Sequence, residues 1–438
     1  LDYGPTVILE HSPSDGPAFS TLYGHLDSEV LQRLQPGARI FAGDLVGHFG
    51  GEHENGGWPP HLHFQVYLDR FDEAGNLAGV ASPTRRHVWT AISPDPAALL
   101  GLDSCAAKEP RTEDLLVERK ARFCSSMSIS YDRPIQMVKG RGTTLFDSVG
   151  RAYLDAVNNV PHVGHCHPHV VAAGARQMSL LNTNTRYLSE TLLRYADRLR
   201  AKLPPHLEVI YFVSSGSEAN EVALRLATAA TDGATETLVQ EHGYHGHTGA
   251  TVSRSHYKFA GRGGFAAPGD VHVVPIADPF RGLHRGDDSG PKYVAEVQSI
   301  LDRLQSEGRR PRALLAEAII GCGGQIVPPA GYLAGAFDAI RAAGGVAIAD
   351  EVQVGFGRVG SHFWAFAEQG ARPDIVTMGK PIGNGHPLAA VATTRAIAER
   401  VAGGMEFFAT FGGNNVSSAI GEAVLQVIDA EDLQAKAA

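Results

Sequence analysis

The chain has 438 residues, 43% apolar and 19% charged, with a formal net charge of −9. That length exceeds one ordinary domain, and the composition is that of a globular protein. The acidic balance argues against a general nucleic-acid binder and leaves small metabolites open as partners, and no apolar run approaches the roughly 20 residues a membrane helix needs.

The opening stretch "LDYGPTVILEH" lacks the basic start and cleavage pattern of a secretory leader. Without an initiator Met it reads as a cut or processed end. "TVILEH" (6–11) and "HLHFQVYLD" (61–69) read as strands, and "QPGARIFAGDLVGHFGG" (35–51) between them is dense in turn formers. These runs predict a small β-rich module over 1–100, followed by a linker over 101–115. From 116 to 438 the texture changes. Strand-like runs "EVIYFV" (208–213), "RALLAEAI" (312–319), "GVAIAD" (345–350) and "DIVTMG" (374–379) alternate with helix-like stretches such as "NEVALRLATAAT" (220–231) and "KYVAEVQSILDRLQSEG" (292–308). Apolar residues recur in the latter at 3- and 4-residue spacing. The alternation predicts an α/β fold, a mostly parallel sheet wrapped by helices. Cysteines stand at 105, 124, 166 and 322 with no C-x-x-C pair, which points to a reduced, cytoplasmic protein.

Chemistry concentrates in three places. "EVIYFVSSGSEANEVALRLA" (208–227) reads as a buried strand, a tight turn and a helix. Ser215 and Glu218 stand in capping-box spacing, so the helix is expected to begin near Gly216. Its first N–H groups lack internal partners and attract an anion, with Gly216 permitting close approach and the Ser217 hydroxyl adding a donor. A capped helix without a ligand is the plainer alternative. "GGVAIADEVQVGFGR" (344–358) brings Asp350 to a strand end, where open α/β folds hold ligands. "DIVTMGKPIGNG" (374–385) brings Lys380 to the next one. A phosphate cradle, an Asp and a Lys together meet the needs of pyridoxal phosphate: an amine for its aldehyde, a carboxylate for its ring nitrogen. Tyr244, in "EHGYHGHTG" (241–249), is the aromatic residue expected to stack on the ring, with a core tyrosine as the alternative.

These motifs, with "MGKPIGNGHP" and "TFGGN", resemble class III aminotransferases of the fold-type I pyridoxal-phosphate group, over about 110–438. The resemblance implies Lys380 as the residue bonding the cofactor and Asp350 as the partner of its ring nitrogen. It implies Gln353 on the phenolic oxygen, Val352 on the ring face opposite Tyr244, and Glu317 near the ring. Ser215, Gly216 and Ser217 would hold the phosphate. Thr410 would reach the neighbouring subunit's cofactor, implying a homodimer. "NNVPHVGHCHP" (158–168), "LNTNTRYL" (181–188) and "CGGQIVPPAGY" (322–332) are closer to phospho-lyases acting on ethanolamine phosphate and 5-phosphohydroxy-lysine. The implied substrate is a phosphorylated amine. Arg186, Asn158, Asn159 and Lys258 are candidates to meet its phosphate. A class III ω-aminotransferase is the alternative activity. The same resemblance implies roughly a hundred further residues completing a smaller domain. It also shows Pro where Asn415 stands, so the backbone there is expected to be freer and the helix start looser.

The dense histidines of "HVGHCHPH" (162–169), like His242, His245 and His247, invite a metal reading. The resembling family carries a "GHCHP" turn without metal, so none is expected. In the first module, "TLYGHLD" (21–27) and "PPHLHFQVYLD" (59–69) resemble lysostaphin-type zinc endopeptidases. The resemblance makes His63 a zinc ligand and has His61 and His25 assist the water. His11 lacks the spacing to complete a ligand set, so the zinc site is expected to be incomplete. A cell-wall-directed or non-catalytic protein acting through this module is a second alternative.

Overall fold

The structure, a computed structural model, describes residues 3–14, 16–68, 86–102 and 112–438. Cys105 and residues 103–111 of the expected linker lie outside the described residues. The chain divides into two compact units, Leu1–Ala156 and Val157–Ala438.

The first unit holds two antiparallel sheets. Strands β1 (Val7–His11), β2 (Phe19–Gly24) and β3 (His63–Tyr67) pair in that order, with Ile8 opposite Leu22. Leu22 and Tyr67 are buried and Ile8 packs against them. This small cluster is what the alternating pattern of the three strands can bury on one face. Strands β4 (Met137–Arg141), β5 (Thr144–Asp147) and β6 (Ala152–Leu154) form the second sheet.

The second unit is built on a seven-stranded sheet. Its strands are β7 (Val209–Val213), β8 (Glu236–Gln240), β9 (Val271–Val274), β10 (Pro311–Glu317), β11 (Val346–Asp350), β12 (Ile375–Met378) and β13 (Ala389–Thr393). The order across the sheet is β7-β13-β12-β11-β10-β8-β9, and β13 alone runs antiparallel to its neighbours. Every residue of β8, β10, β11, β12 and β13 is buried. Strands covered on both faces need apolar residues on both, which is why they read as continuous runs.

Helices supply the two covers. Helix Gly216–Ala230 buries Ala219, Val222, Ala223, Leu226 and Ala227, and its face packs with Leu315, Ile348 and Val391. On the other face, helices Gly290–Ser306 and Tyr332–Ala342 bury Val297, Leu301, Leu304, Phe337 and Ile340. Each such aliphatic side chain taken fully from water contributes about 1.5–3 kcal/mol. Among the described residues no helix is long and apolar enough to cross a membrane.

The helix start at Asn415–Ala430 corrects one expectation. Asn415 does not loosen it. Its Oδ1 accepts the Thr183 N–H at 3.2 Å, and its Nδ2 donates to Ser189 Oγ at 2.9 Å. Asn414 caps the helix by accepting from the Ser417 N–H. A side chain with both a donor and an acceptor replaces, through tertiary contacts, the restraint that a Pro ring exerts locally.

Candidate active site

In a parallel sheet all carboxyl ends lie at one edge. Register sets Glu317 of β10 opposite Asp350 of β11, and Asp350 opposite Thr377 of β12. β7 runs the same way, so the helix that follows it begins at this edge. It starts at Gly216 with Ser215 as its N-cap. The Ser215 hydroxyl accepts the Glu218 N–H, and the Glu218 carboxylate takes the Ser215 hydroxyl proton and the Ser214 N–H. The cap thus satisfies the turn and leaves the first helical N–H groups directed outward.

Asp350 is 3% exposed and fully engaged. Its Oδ2 accepts from His245 Nδ1 and from Asn220 Nδ2, both at 2.8 Å, and its Oδ1 accepts the Val352 N–H. Burial alone raises the carboxyl pKa, but the His245 hydrogen bond and charge, then Asn220 and Val352, outweigh it and lower the pKa below the ordinary value. A carboxylate only accepts, so His245 carries its proton on Nδ1. His245 Nε2 is buried with no partner in the protein. The neighbouring acid goes the other way. Burial, then the charge of Asp350, raises the Glu317 pKa against His245 and the N–H groups of Tyr244 and Gly321. The pair is therefore split: Asp350 stays ionised and Glu317 holds its proton more firmly.

Lys380 opens a short 3-10 turn, Lys380–Gly383, with a left-handed φ of 38°. Such a backbone is uncommon outside glycine and marks a constrained position. Its Nζ donates to Gln353 Oε1 at 3.3 Å. A cavity of about 140 Å³ is lined by Lys380, Asp350, Glu317, Tyr244, Val352 and Gln353, by Gly216 and Ser217 of the helix start, and by Asn220, His245 and Gly246. Eight residues singled out from the sequence thus come together. The side chain of Ser215 is spent on capping. Thr410 is exposed on the loop after helix Arg395–Ala402 and does not line the cavity. A larger cavity of about 330 Å³, beside Tyr211, Arg225 and Arg395, shares no lining residue with this one and lacks its Lys–Asp pairing.

Sequence reasoning missed Asn220 and Gly246, and weighed His245 only for a metal. Asn220 was legible in principle: it lies one helical turn after Gly216, on the same face. Of the four phosphate candidates none lines the cavity, but Lys258 Nζ sits 5.7 Å from the Tyr244 ring centroid. Arg186 lies over Phe408 at 4.6 Å. The histidines of 162–169 disperse: His162 bonds the Phe356 carbonyl, His167 the Glu431 carboxylate and His169 the Gln426 amide.

The residue after Asp350 has its own buried anchor. Glu351 accepts the N–H groups of Ala365 and Phe366 and is wholly buried. Burial pushes its pKa up to about 7, with Asp350 adding to the rise against those two N–H groups. A carboxyl whose folded pKa lies above its unfolded value stabilises the fold most at low pH, and that contribution is lost as pH rises from the ordinary Glu value to about 7. Glu351→Gln is expected to remove a slope of about 3 kcal/mol over that window. Denaturant unfolding of both proteins at several pH values checks it; parallel curves contradict it.

In the first unit, His25, His61 and His63 gather. The His25 ring centroid lies 4.5 Å from that of His61 and 5.9 Å from that of His63. His25 Nδ1 donates to the Asn55 carbonyl, and His11 is tied to Thr21 Oγ1. Among the described residues no group of three or more His, Cys, Asp or Glu is arranged to hold a metal ion.

Residues 127–438 match the model of the family described as aminotransferase class III. The chain belongs to that family. Residues 1–74 match peptidase family M23. Among relatives of the class III part, an "alanine--glyoxylate aminotransferase 2-like" protein of Drosophila melanogaster is 49% identical over 69% of this chain and 63% of its own length. An "ethanolamine-phosphate phospho-lyase homolog 1" of Caenorhabditis elegans is 40% identical over 75% of this chain and 73% of its own. Among solved structures, a phospholyase from Arthrobacter in complex with phosphoethanolamine superposes with a TM-score of 0.69 at 38% identity, covering 74% of this chain and 76% of that one. The chain therefore spans between about three-fifths and three-quarters of the proteins it matches.

The cofactor of class III enzymes is pyridoxal phosphate, and the residues of this cavity fit it. The orphaned His245 Nε2 and the ionised Asp350 form a polar, anionic floor beside an amine. The cavity wall at the helix start is as tight as its glycines allow: a Cβ at Gly216 would meet Val352 Cγ1 at 2.8 Å, and one at Gly246 would meet Ser217 Oγ at 2.5 Å. Gly246 also has a φ of 130°, which suits glycine.

Proposed function

We propose that this protein is a phospho-lyase. It takes an O-phosphorylated vicinal amino alcohol of the ethanolamine-phosphate or 5-phosphohydroxy-lysine type, with water, and releases an aldehyde, ammonia and phosphate. The observation that carries this is the 38% identity to the Arthrobacter phospholyase in complex with phosphoethanolamine.

Pyridoxal phosphate, when bound, supplies an aldehyde for the substrate amine and a cationic ring that takes up an electron pair from the adjacent carbon. Lys380 would hold the cofactor's aldehyde, and its Nζ, when free, would serve as the base for the proton on the substrate carbon bearing nitrogen. Asp350 would keep a proton on the ring nitrogen, and His245 and Asn220 fix its carboxylate. Gln353 has Oε1 turned to Lys380, so its Nε2 would be the group that donates to the cofactor's phenolic oxygen. Tyr244 and Val352 would pack on the cofactor ring, and Glu317 holds the Tyr244 backbone in place. The N–H groups at Gly216 and Ser217, behind the Ser215 cap, and the Ser217 hydroxyl receive the phosphate. Lys258, over Tyr244, brings positive charge for the substrate's own phosphate.

A homodimer with Thr410 crossing to the neighbouring site accompanies this reading. Its support is the exposed apolar surface around Thr410, where Met405, Phe408 and Phe411 are 82%, 40% and 72% exposed. The cytoplasm suits a chain whose Cys124, Cys166 and Cys322 are free thiols. The first unit is proposed to act as a spacer or docking piece.

The test is to incubate pure protein, loaded with pyridoxal phosphate, with ethanolamine phosphate and no oxo-acid. Phosphate and ammonia are expected in equal amounts. Turnover that depends wholly on an oxo-acid acceptor sinks the proposal and supports a class III ω-aminotransferase; the 49% identical Drosophila relative is named as alanine--glyoxylate aminotransferase 2-like.

A further inference from the structure

Asp350 is followed by a loop, Glu351–Arg358, that carries Val352 and Gln353 into the cavity. The loop turns on two successive left-handed residues, Phe356 with φ 65° and Gly357 with φ 78°. A bulky residue in that conformation is disfavoured and persists only where its surroundings over-determine it. Part of the restraint is apolar. The Phe356 side chain is 1% exposed and packs on Phe363 and Trp364, with ring centroids 5.2 and 5.4 Å away. The rest is polar and comes from a segment nearly two hundred residues upstream.

We propose that His162 is a positioning residue for this site: a neutral imidazole that clamps the strained turn at Phe356–Arg358 and so holds Val352 and Gln353 at the cofactor cavity. His162 Nε2 lies 2.7 Å from the Phe356 carbonyl oxygen, and its Nδ1 lies 3.2 Å from Arg358 Nη2. A carbonyl only accepts and a guanidinium only donates, so the proton sits on Nε2 and the lone pair on Nδ1. The neighbours therefore select one tautomer of an uncharged ring. The same Arg358 Nη2 donates to the Asn159 carbonyl at 2.8 Å, which closes a ring of bonds between residues 159–162 and 356–358. Burial and the Arg358 charge push the His162 pKa down to about 4 against the bond to Phe356, in keeping with a ring that stays neutral.

The loop passes the clamp on to the site. Gln353 Oε1 accepts from Lys380, and Val352 fills the space against Gly216 where a Cβ would otherwise sit. A turn that relaxes at Phe356 shifts both the amide beside Lys380 and the wall of the phosphate cradle. Among the described residues, His162 has no hydrogen bond or ring contact with a residue that lines the cavity, so its effect runs through the loop.

The inference rests on the cofactor reading for one of its two readouts. In the full chain without cofactor, His162→Leu is expected to speed hydrogen exchange of the Gly355 and Gly357 amides about tenfold or more, the effect of leaving one buried acceptor unpaired. In a titration followed by absorbance, it is expected to weaken pyridoxal-phosphate binding by a similar factor. His162→Gln is expected to restore both, because its amide can donate to Phe356 and accept from Arg358. Wild-type exchange rates in His162→Leu overturn the clamp, as does His162→Gln exchanging as fast as His162→Leu. Should His162→Leu fail to fold, His162→Gln carries the test: wild-type exchange and binding support the clamp, and rapid loop exchange in a folded protein overturns it. A wild-type chain that binds no pyridoxal phosphate defeats the cofactor reading, while the exchange measurement still decides the clamp.

Discussion

Lys380→Ala is expected to lower turnover about 10⁴-fold or more and to erase the visible absorption band that bound pyridoxal phosphate gives with the wild-type lysine. The reason is positional. Lys380 is the lysine that lines the cavity, and it is the amine set beside Gln353 and across from the buried Asp350. On the roles proposed above, an alanine there removes both the attachment of the aldehyde and the base that moves the proton. The fold is expected to survive, because Lys380 lies at the start of a short turn, and its side chain carries one long hydrogen bond and no ion pair among the described contacts. Absorbance after loading, a thermal melt and the phosphate-release assay together check this. Turnover within tenfold of wild type would mean that the chemistry lies elsewhere.

A second large effect is expected at Asp350. Asp350→Asn keeps the size of the side chain and removes its charge. Turnover is expected to fall about 10²–10³-fold, the usual loss when one preorganised electrostatic partner is removed from a dry site. Stability is expected to fall as well, because His245 and Asn220 both aim donors at the carboxylate. Tautomer exchange at His245 can repair one of those contacts, so the loss should stay near the low end of the 3–5 kcal/mol seen when a buried pair is broken. Asp350→Ala, which offers no such repair, is expected to cost more. A melt separates the two effects, and a variant with wild-type turnover and a lowered melting temperature would leave Asp350 a structural role alone.

The α/β fold was legible because a parallel sheet covered on both faces writes itself as short apolar runs separated by helical periodicity. "GVAIAD" and "DIVTMG" correspond to β11 and β12, and the start of the helix at Gly216 was legible from the spacing of Ser215 and Glu218. The antiparallel β13 was not singled out, since an interior strand looks the same in either direction. The expectation at Asn415 went wrong because it considered the backbone freedom of the residue alone; the contacts that pin it come from Thr183 and Ser189, more than two hundred positions upstream.

The amino-acid order by itself determined which residues could take part: a lysine and an aspartate at strand ends, a glycine at a helix start, and the local hydrogen bonds of a capped turn. These follow from interactions within a few residues, which spacing records. The tertiary structure alone decided that the strands stand side by side in a register setting Glu317 against Asp350, that His245 and Asn220 converge on one carboxylate, and that His162 closes on a turn far along the chain. Those facts depend on burial and on partners distant in sequence. Desolvation and charge act through space, and spacing along a chain carries no record of distances through space.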